Sequence, residues 1–218
     1  MDRTSTIEPG FYLYELTAET LCLGERIRAG VFRPCLRVFT STALAGALKA
    51  RFPHPNRSIH CVARFRGGID RDGFNVPNLL TFSPRDRAID SSTIPLEIEF
   101  LSNVRAEACL AKNDLTRTWP AEFDLYLGAM KSKGFGHCRL RRIDEIPLPS
   151  PQRGRLICRI PDTDDLKNIF GIRNVIAPVY GYLFQPERGG TGHYARALFE
   201  DTLLEAYPFL LRKEHATP

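Results

Sequence analysis

Apolar and polar residues alternate along several short segments of the chain, which is the pattern of strands that bury one face. Residues 11 to 23 alternate loosely and are rich in Tyr, Phe, Leu and Thr. In residues 59 to 65, apolar side chains fall on one face, while His60 and Arg64 fall on the other. We therefore predict strands over both segments.

A helical period follows Thr40, Ser41 and Thr42, which are residue types that cap helix N-termini. Between residues 43 and 52 apolar side chains recur at helical spacing, and Pro53 cannot continue a helix. The pattern predicts a helix that ends before Pro53.

Two further segments have mixed patterns. Residues 66 to 78 are crowded with Gly, Asp, Asn and Pro, which predicts a turn-rich loop. Residues 95 to 104 alternate like a strand, but the composition of residues 105 to 112 is more helix-like. A helix and a pair of strands both fit this second half.

The order of these elements predicts an α+β protein. We expect residues 1 to 146 to form a domain of mixed strands and helices. Prolines 147, 149 and 151 resist both helix and central strand, and they mark the best domain boundary. Residues 147 to 218 contain further strand-like segments and an apolar end, which we expect to pack back as a C-terminal lobe.

The segment from Gly128 to Arg142 combines three glycines and five basic residues with no acidic residue. It follows a predicted strand over residues 119 to 127, and its end overlaps a second predicted strand over residues 139 to 143. Glycine lets the main chain approach a ligand and present successive N–H groups, and the cations attract a polyanion. The segment predicts a phosphate-binding loop. A hairpin with a basic, solvated tip also fits the composition.

Known nucleotide-binding signatures do not fit this loop. In a P-loop, Lys and Ser/Thr follow the second glycine, whereas Lys131 and Ser132 precede Gly134. Arg139 stands where the dinucleotide-binding fingerprint requires its third glycine. Residues 133 to 136 match the start of the RNA-recognition-motif signature, but the residues after them do not. We therefore expect no nucleotide cofactor.

The net charge, the cysteines and the lack of long apolar stretches lead to expectations about partners and cellular location. The formal net charge of +5 favours an acidic partner. Six cysteines without a C-x-x-C pair argue against zinc ribbons and disulfide scaffolds, so we expect no metal and reduced, mostly buried thiols. The sequence has no stretch of signal-peptide type and none of membrane-spanning length, which favours the cytoplasm and no membrane partner.

Two segments together resemble motifs of the RAMP superfamily of CRISPR-associated proteins. They are the helix Thr40-Ser-Thr-Ala-Leu-Ala-Gly-Ala-Leu48 and the loop Gly128-Ala-Met-Lys-Ser-Lys-Gly-Phe-Gly136. With their supporting strands they span about residues 11 to 145, in the order expected for the family. The stretch Gly181-Tyr-Leu-Phe-Gln-Pro186 and the apolar end also resemble type III effector subunits. The resemblance implies a ferredoxin-like (RRM-like) antiparallel sheet with helices on one face, followed by a C-terminal extension or degenerate second lobe.

The resemblance also implies a role. It indicates a non-catalytic subunit of a CRISPR effector complex, most like the type III capping subunit that holds the 5′ handle of the guide RNA. The expected partners are guide RNA and the backbone and large subunits of the complex. The residues expected to bind RNA are Gly128, Lys131, Ser132, Lys133, Gly134, Phe135, Gly136, His137, Arg139 and Arg141, with Ser41 and Thr42 at the start of the helix. No catalytic residue is expected.

Three further roles remain open at the level of sequence. A metal-independent repeat-processing endoribonuclease would use a histidine to take the proton from a ribose 2′-OH, and His54 and His60 are suitably placed in the sequence. Such enzymes usually carry the glycine loop close to the C-terminus, whereas residues 137 to 218 follow it here. The second role is the repeated backbone subunit of the complex, and the third is a scaffold that binds only proteins.

Overall fold

A computed structural model describes residues 9–24, 31–54, 58–69, 73–83, 85–86, 91–92, 95–186 and 191–212. It is an α+β protein in which strands predominate. Its helices are α1 (Ser41–Arg51), α2 (Asp114–Arg117) and α3 (Asp164–Ile169). Its strands are β1 (Gly10–Leu21), β2 (Phe32–Arg33), β3 (Cys61–Phe65), β4 (Val76–Phe82), β5 (Arg85–Asp86), β6 (Ser91–Ser92), β7 (Leu96–Ala111), β8 (Glu122–Tyr126), β9 (His137–Pro147), β10 (Gln152–Leu156), β11 (Ile160–Pro161), β12 (Arg173–Ala177), β13 (Tyr180–Pro186), β14 (Gly192–Leu198), β15 (Leu203–Ala206) and β16 (Leu211–Arg212).

The largest sheet contains the order β2-β7-β1-β9-β8, with β3 and β4 also paired to β7. All of these pairs are antiparallel except β2 with β7. The helix option for residues 105 to 112 is wrong, because β7 is one strand of 16 residues. Ala106, Ala108 and Leu110 alternate into the core along it, so packing overrides their helical composition.

Helix α1 covers one face of this sheet. Leu44 and Leu48 of the helix are fully buried with Tyr14 and Leu16 of β1, in a core that also includes side chains of β7, β8 and β9. The backbone N–H of Ala43 donates to Oγ1 of Thr40 at 3.2 Å, so Thr40 is the N-cap. The predicted helix is confirmed, and it begins two residues earlier than the apolar pattern indicated.

The C-terminal segment covers part of the opposite face. Phe11 of β1 and Cys109 of β7 are buried with Phe170 and Phe209, and the rings of Phe11 and Phe209 lie 4.7 Å apart between centroids. Residues after 147 form two sheets of their own, in the orders β12-β15-β10-β16 and β11-β14-β13. The apolar end therefore packs against the first sheet.

The segment predicted as a loop over residues 66 to 78 is partly regular, although residues 70 to 72 lie outside the described part of the chain. Strand β4 begins at Val76, and Asn75 before it is fully buried with a φ of 55°. The Asn75 side chain donates to the carbonyls of Arg66 and Gly68 and accepts from the N–H of Arg105. Asn75 thus ties this segment to β7.

The six cysteines are buried free thiols. Burial raises the pKa of Cys109 and of Cys138 to about 12, so both remain protonated near neutral pH. The described part of the chain has no helix that is both long enough and apolar enough to cross a bilayer.

Candidate nucleic-acid interface

The glycine loop, residues 128 to 136, connects β8 to β9. It contains a short 3₁₀ turn over Lys131–Lys133, entered through Met130 at a φ of 58° and left through Gly134 at 88°. Gly128 and Gly136 also have positive φ, at 85° and 77°. The left-handed backbone explains why glycines recur here, since other residues adopt it at a cost.

Two of the three glycines are required by contacts inside the protein. A Cβ atom on Gly128 would lie 2.3 Å from the carbonyl oxygen of Cys22, and one on Gly136 would lie 2.0 Å from that of Leu127. A Cβ on Gly134 would meet nothing within 4 Å. Close approach to a ligand therefore remains a reason only for Gly134.

The expectation that the loop presents a series of free N–H donors is wrong for most of its length. Ala129 and Gly136 donate to the carbonyls of Cys22 and Thr20, at 2.8 and 2.9 Å. The N–H groups of residues 133, 134 and 135 donate to carbonyls within the loop. The backbone thus fixes the loop against the end of β1, and the side chains must supply most of any attraction for an anion.

The loop side chains divide into an exposed set and a buried one. Lys131, Ser132 and Lys133 are exposed, and neither lysine forms an ion pair with a described carboxylate. Lys133 lies over the ring of Phe82, 5.6 Å from its centroid. Phe135 is only 7% exposed and packs edge-on against Phe100, so its ring anchors the loop and does not face solvent.

A groove of about 640 Å³ runs between the glycine loop, α1 and the hairpin of β13 and β14. We call it the loop groove. The side chains and backbone that matter here are Thr40, Thr42, Gly128, Lys131, Tyr182, Phe184 and Tyr194, all of which line it. The structure therefore brings together three of the predicted site residues, Thr42, Gly128 and Lys131, from the two sequence motifs.

Ser41 takes a different position. Its side chain is buried, and its N–H donates to the carbonyl of Arg159 at 3.0 Å, which joins the start of α1 to the C-terminal segment. Ser41 lines a separate pocket of about 290 Å³ with His60 and Asp165. It therefore supports the helix start and does not line the loop groove.

The predicted basic residues beyond the loop lie on the open face of the sheet. His137 and Arg139 line another groove, of about 660 Å³, together with Gly134. Arg139 forms an ion pair with Glu122 at 2.5 Å, and Arg141 forms one with Glu15 at 2.7 Å. Part of the positive charge predicted for the segment is thus already balanced by carboxylates.

Arg142 also forms contacts inside the protein. Its guanidinium donates to the hydroxyl of Tyr14 at 3.0 Å and to the carbonyl of Trp119 at 3.2 Å, and it lies over the ring of Tyr12. These contacts give Arg142 a structural role. The five basic residues counted in the sequence therefore separate into two exposed lysines and three arginines that already have partners.

Neither candidate catalytic histidine lies in the loop groove. Nε2 of His60 is 3.5 Å from the carboxylate of Asp165, and its side chain is 17% exposed. Burial lowers the pKa of His60, and Asp165 opposes this effect. Nδ1 of His54 is buried without a hydrogen-bond partner among the described residues.

Sequence reasoning missed the contribution of the β13–β14 hairpin. Tyr182 and Tyr194 line the loop groove although they are 68% and 58% exposed. The alternation of Tyr180, Tyr182 and Phe184 was a usable signal, because it places three aromatic rings on one face of a strand. What the sequence did not show was which element that face would meet.

The solved structures that this chain resembles in fold include chains of a type III-B complex. A chain in the cryo-EM structure of the Type III-B Cmr-beta bound to cognate target RNA has a TM-score of 0.58 and 9% sequence identity, over 88% of this chain and 86% of that chain. A chain in the same complex with cognate target RNA and AMPPnP, state 1, has a TM-score of 0.59 and 8% identity, over the same shares. At these identities the likeness shows a shared fold.

A third structure, a CRISPR RNA-guided surveillance complex, contains a chain with a TM-score of 0.42 and 14% identity, over 93% of each chain. That score is too low to indicate a shared fold. No protein-family model and no curated protein matches the sequence.

Proposed function

We propose that the protein is a non-catalytic, RNA-binding subunit of a multisubunit CRISPR effector complex, and that it holds the 5′ handle of the guide RNA along the loop groove. Two independent features support this proposal. The fold is similar, over most of the chain, to a chain of a type III-B complex that was solved with cognate target RNA. The helix and loop motifs resemble those of the RAMP superfamily.

The proposal includes the finer architecture and the setting of the protein. Residues 1 to 146 are the ferredoxin-like RAMP domain, and residues 147 to 218 are the C-terminal lobe. The lobe's own sheets and its buried contacts with Phe11 and Cys109 support this division. The partners are guide RNA and the backbone and large subunits of a type III complex in the cytoplasm.

The observation that carries the proposal is the meeting of the two motifs in one groove. Thr42 from the helix and Gly128 and Lys131 from the loop line the same surface. Lys131 and Lys133 are exposed and form no ion pair with a described carboxylate, so binding a phosphate breaks no such ion pair. Exposed cations of this kind supply the salt-dependent part of RNA affinity.

The other predicted site residues differ in the role that this proposal gives them. Ser132 is exposed in the loop and contacts the RNA backbone, while Gly136, Phe135 and Ser41 hold the surrounding structure. A role for Gly134, His137, Arg139 and Arg141 in RNA binding stays a prediction, because these residues face a different groove or already pair with carboxylates.

The test is a filter-binding titration of the full chain with single-stranded guide RNA at several salt concentrations. The double variant Lys131→Ala/Lys133→Ala should bind more weakly, and the slope of log affinity against log salt should fall by about 1.4, since each phosphate contact on a single strand contributes about 0.7. Arg153→Ala/Arg173→Ala is the matched control, because it removes the same charge from exposed positions of the C-terminal sheet.

Unchanged affinity and slope in the loop variant would contradict the proposal, and so would an equal loss in the control. The capping role has its own measurement. Native mass spectrometry of the purified complex should show one copy of this chain with guide RNA and other subunits. Several copies in a row would identify the repeated backbone subunit instead.

A further inference from the structure

The β13–β14 hairpin presents aromatic rings that the fold does not bury. Tyr182 and Tyr194 are 68% and 58% exposed, whereas Leu183 between the outward-facing residues of β13 is buried. Phe184 pairs with Tyr194 across the strands, and their rings meet edge to face at 5.5 Å. Large exposed aromatic side chains that cluster in this way usually mark a binding surface.

These rings lie opposite the polar side of the loop groove. Tyr182 and Tyr194 line it from the hairpin, while Lys131 lines it from the glycine loop and Thr42 from the start of α1. The groove volume of about 640 Å³ is within the range of natural ligand sites. The hairpin side is therefore aromatic, and the side formed by the loop and α1 carries a cation and a hydroxyl beside apolar residues such as Leu36 and Ala43.

This pairing of walls matches one class of ligand. An apolar peptide would bury Lys131 without an anion, which costs desolvation free energy. A nucleotide satisfies both walls, because its phosphate reaches the cation while the face of its base stacks on an aromatic ring. Tyrosine is well suited to this contact, since its ring is flat and its hydroxyl tolerates water.

We propose that Tyr182 and Tyr194 stack on unpaired bases of the RNA strand whose phosphates contact Lys131. The inference rests on the proposed function, because it assigns a second wall to the same site. It adds that the chain grips RNA through its bases as well as its backbone. It also makes the hairpin, which neither sequence motif includes, part of the RNA-binding surface.

The test compares two probes with the full chain: a single-stranded RNA of about ten nucleotides, and the same ribose-phosphate oligomer without bases. Tyr182→Ala/Tyr194→Ala should bind the RNA at least about thirtyfold more weakly, which is the lower end of what two stacked bases contribute together. Its affinity for the abasic oligomer and its salt slope should equal those of the unchanged protein. Tyr182→Phe/Tyr194→Phe, which keeps the rings, should retain most of the affinity.

Tyr180→Ala is the matched control. Tyr180 lies on the same strand and is 50% exposed, but it does not line the groove, and its ring contacts Arg196 instead. Its loss should leave RNA affinity unchanged. Because the tyrosines are exposed, all variants should fold, and the thermal unfolding midpoint verifies this.

The outcomes separate this inference from the proposed function. If the double alanine variant binds RNA normally while Lys131→Ala/Lys133→Ala binds weakly, stacking is wrong and the proposed function stands. If the tyrosine variant instead loses a copurifying subunit without losing RNA, the hairpin is a protein-docking surface and the inference is overturned. If neither variant changes RNA affinity, both proposals fail.

Discussion

Gly128 and Cys22 fit together only while position 128 lacks a side chain, because a Cβ atom there would lie 2.3 Å from the cysteine's carbonyl oxygen. The next residue, Ala129, donates its N–H to the same oxygen at 2.8 Å. One carbonyl at the end of β1 therefore sets both the path of the loop and the identity of its first residue. The sequence suggested that Gly128 contacts a ligand, whereas in the structure packing against Cys22 requires a glycine at this position.

We expect Gly128→Ala to lower the free energy of unfolding by about 1–3 kcal/mol, because the new methyl group meets backbone at a positive φ. Urea denaturation followed by circular dichroism measures the change. Gly46→Ala is the control in α1, where a Cβ would meet nothing within 4 Å, and it should raise the free energy of unfolding by about 1 kcal/mol. Equal effects of the two substitutions would show that the packing argument is mistaken.

Asn75→Ala should destabilise the protein by about 2–4 kcal/mol. The substitution removes three hydrogen bonds of a buried residue, to Arg66, Gly68 and Arg105, at a positive φ that asparagine adopts more readily than alanine. Asn78→Ala, which removes a half-buried amide on the adjoining strand β4, provides a comparison of matched chemistry and should cost less. The midpoint of urea denaturation measures both effects. Equal midpoints for Asn75→Ala and Asn78→Ala would rule out the anchoring role of Asn75.

His60 should make folding stability depend on pH. Burial lowers its pKa in the folded state below the ordinary 6.5, so the unfolded chain binds more protons once the pH falls toward that value. The stability is fully present above pH 6.5 and is lost as the pH falls through the folded-state pKa. The carboxylate of Asp165 is 71% exposed, so its attraction for the protonated imidazole opposes the lowering of the His60 pKa only weakly.

Unfolding curves at several pH values between about 7 and 5 measure this loss against His60→Gln, which cannot titrate. We expect the difference in stability between the two proteins to shrink as the pH falls. A difference that stays constant over the whole range would mean that His60 titrates equally in both states.

The proposed non-catalytic role predicts that the protein does not cleave RNA. A cleaving enzyme of the alternative class would place a histidine beside the ribose 2′-OH, and the described residues that line the loop groove include none. After incubation with repeat RNA in EDTA, a denaturing gel should show the RNA intact. A defined product that disappears in His60→Ala would instead support the role of a repeat-processing endoribonuclease.

Local patterns predicted the elements whose environment is simple. The first strand follows from the loose alternation of its side chains, and helix α1 follows from Thr40 and from the single apolar face that it buries. Residues 105 to 111 have the composition of a helix, and only their pairing with β1 on one side and β3 on the other makes them a strand. That information is non-local, so no window of sequence contains it.

The candidate site was partly predictable for the same reason. The loop was located by its glycines and lysines, and Thr42 was named as an RNA-binding residue from the family resemblance, but the sequence did not predict that the two would line one groove. The partners of Arg139, Arg141 and Arg142 come from other strands, so charge counted along the sequence overstated the free charge in space. The aromatic wall contributed by Tyr182 depends on how a distant hairpin packs, which composition does not encode.

In the part of the chain that the structure describes, strand β7 pairs with four strands that all precede it, namely β1, β2, β3 and β4. On a translating ribosome, these earlier strands emerge without their common neighbour and keep unsatisfied edges until residue 111 has left the exit tunnel. Such long-range pairing makes folding slow and leaves unpaired, aggregation-prone strand edges in the nascent chain. A premature stop before β7 would therefore release a fragment prone to aggregate, and chaperone demand during synthesis should peak in that interval.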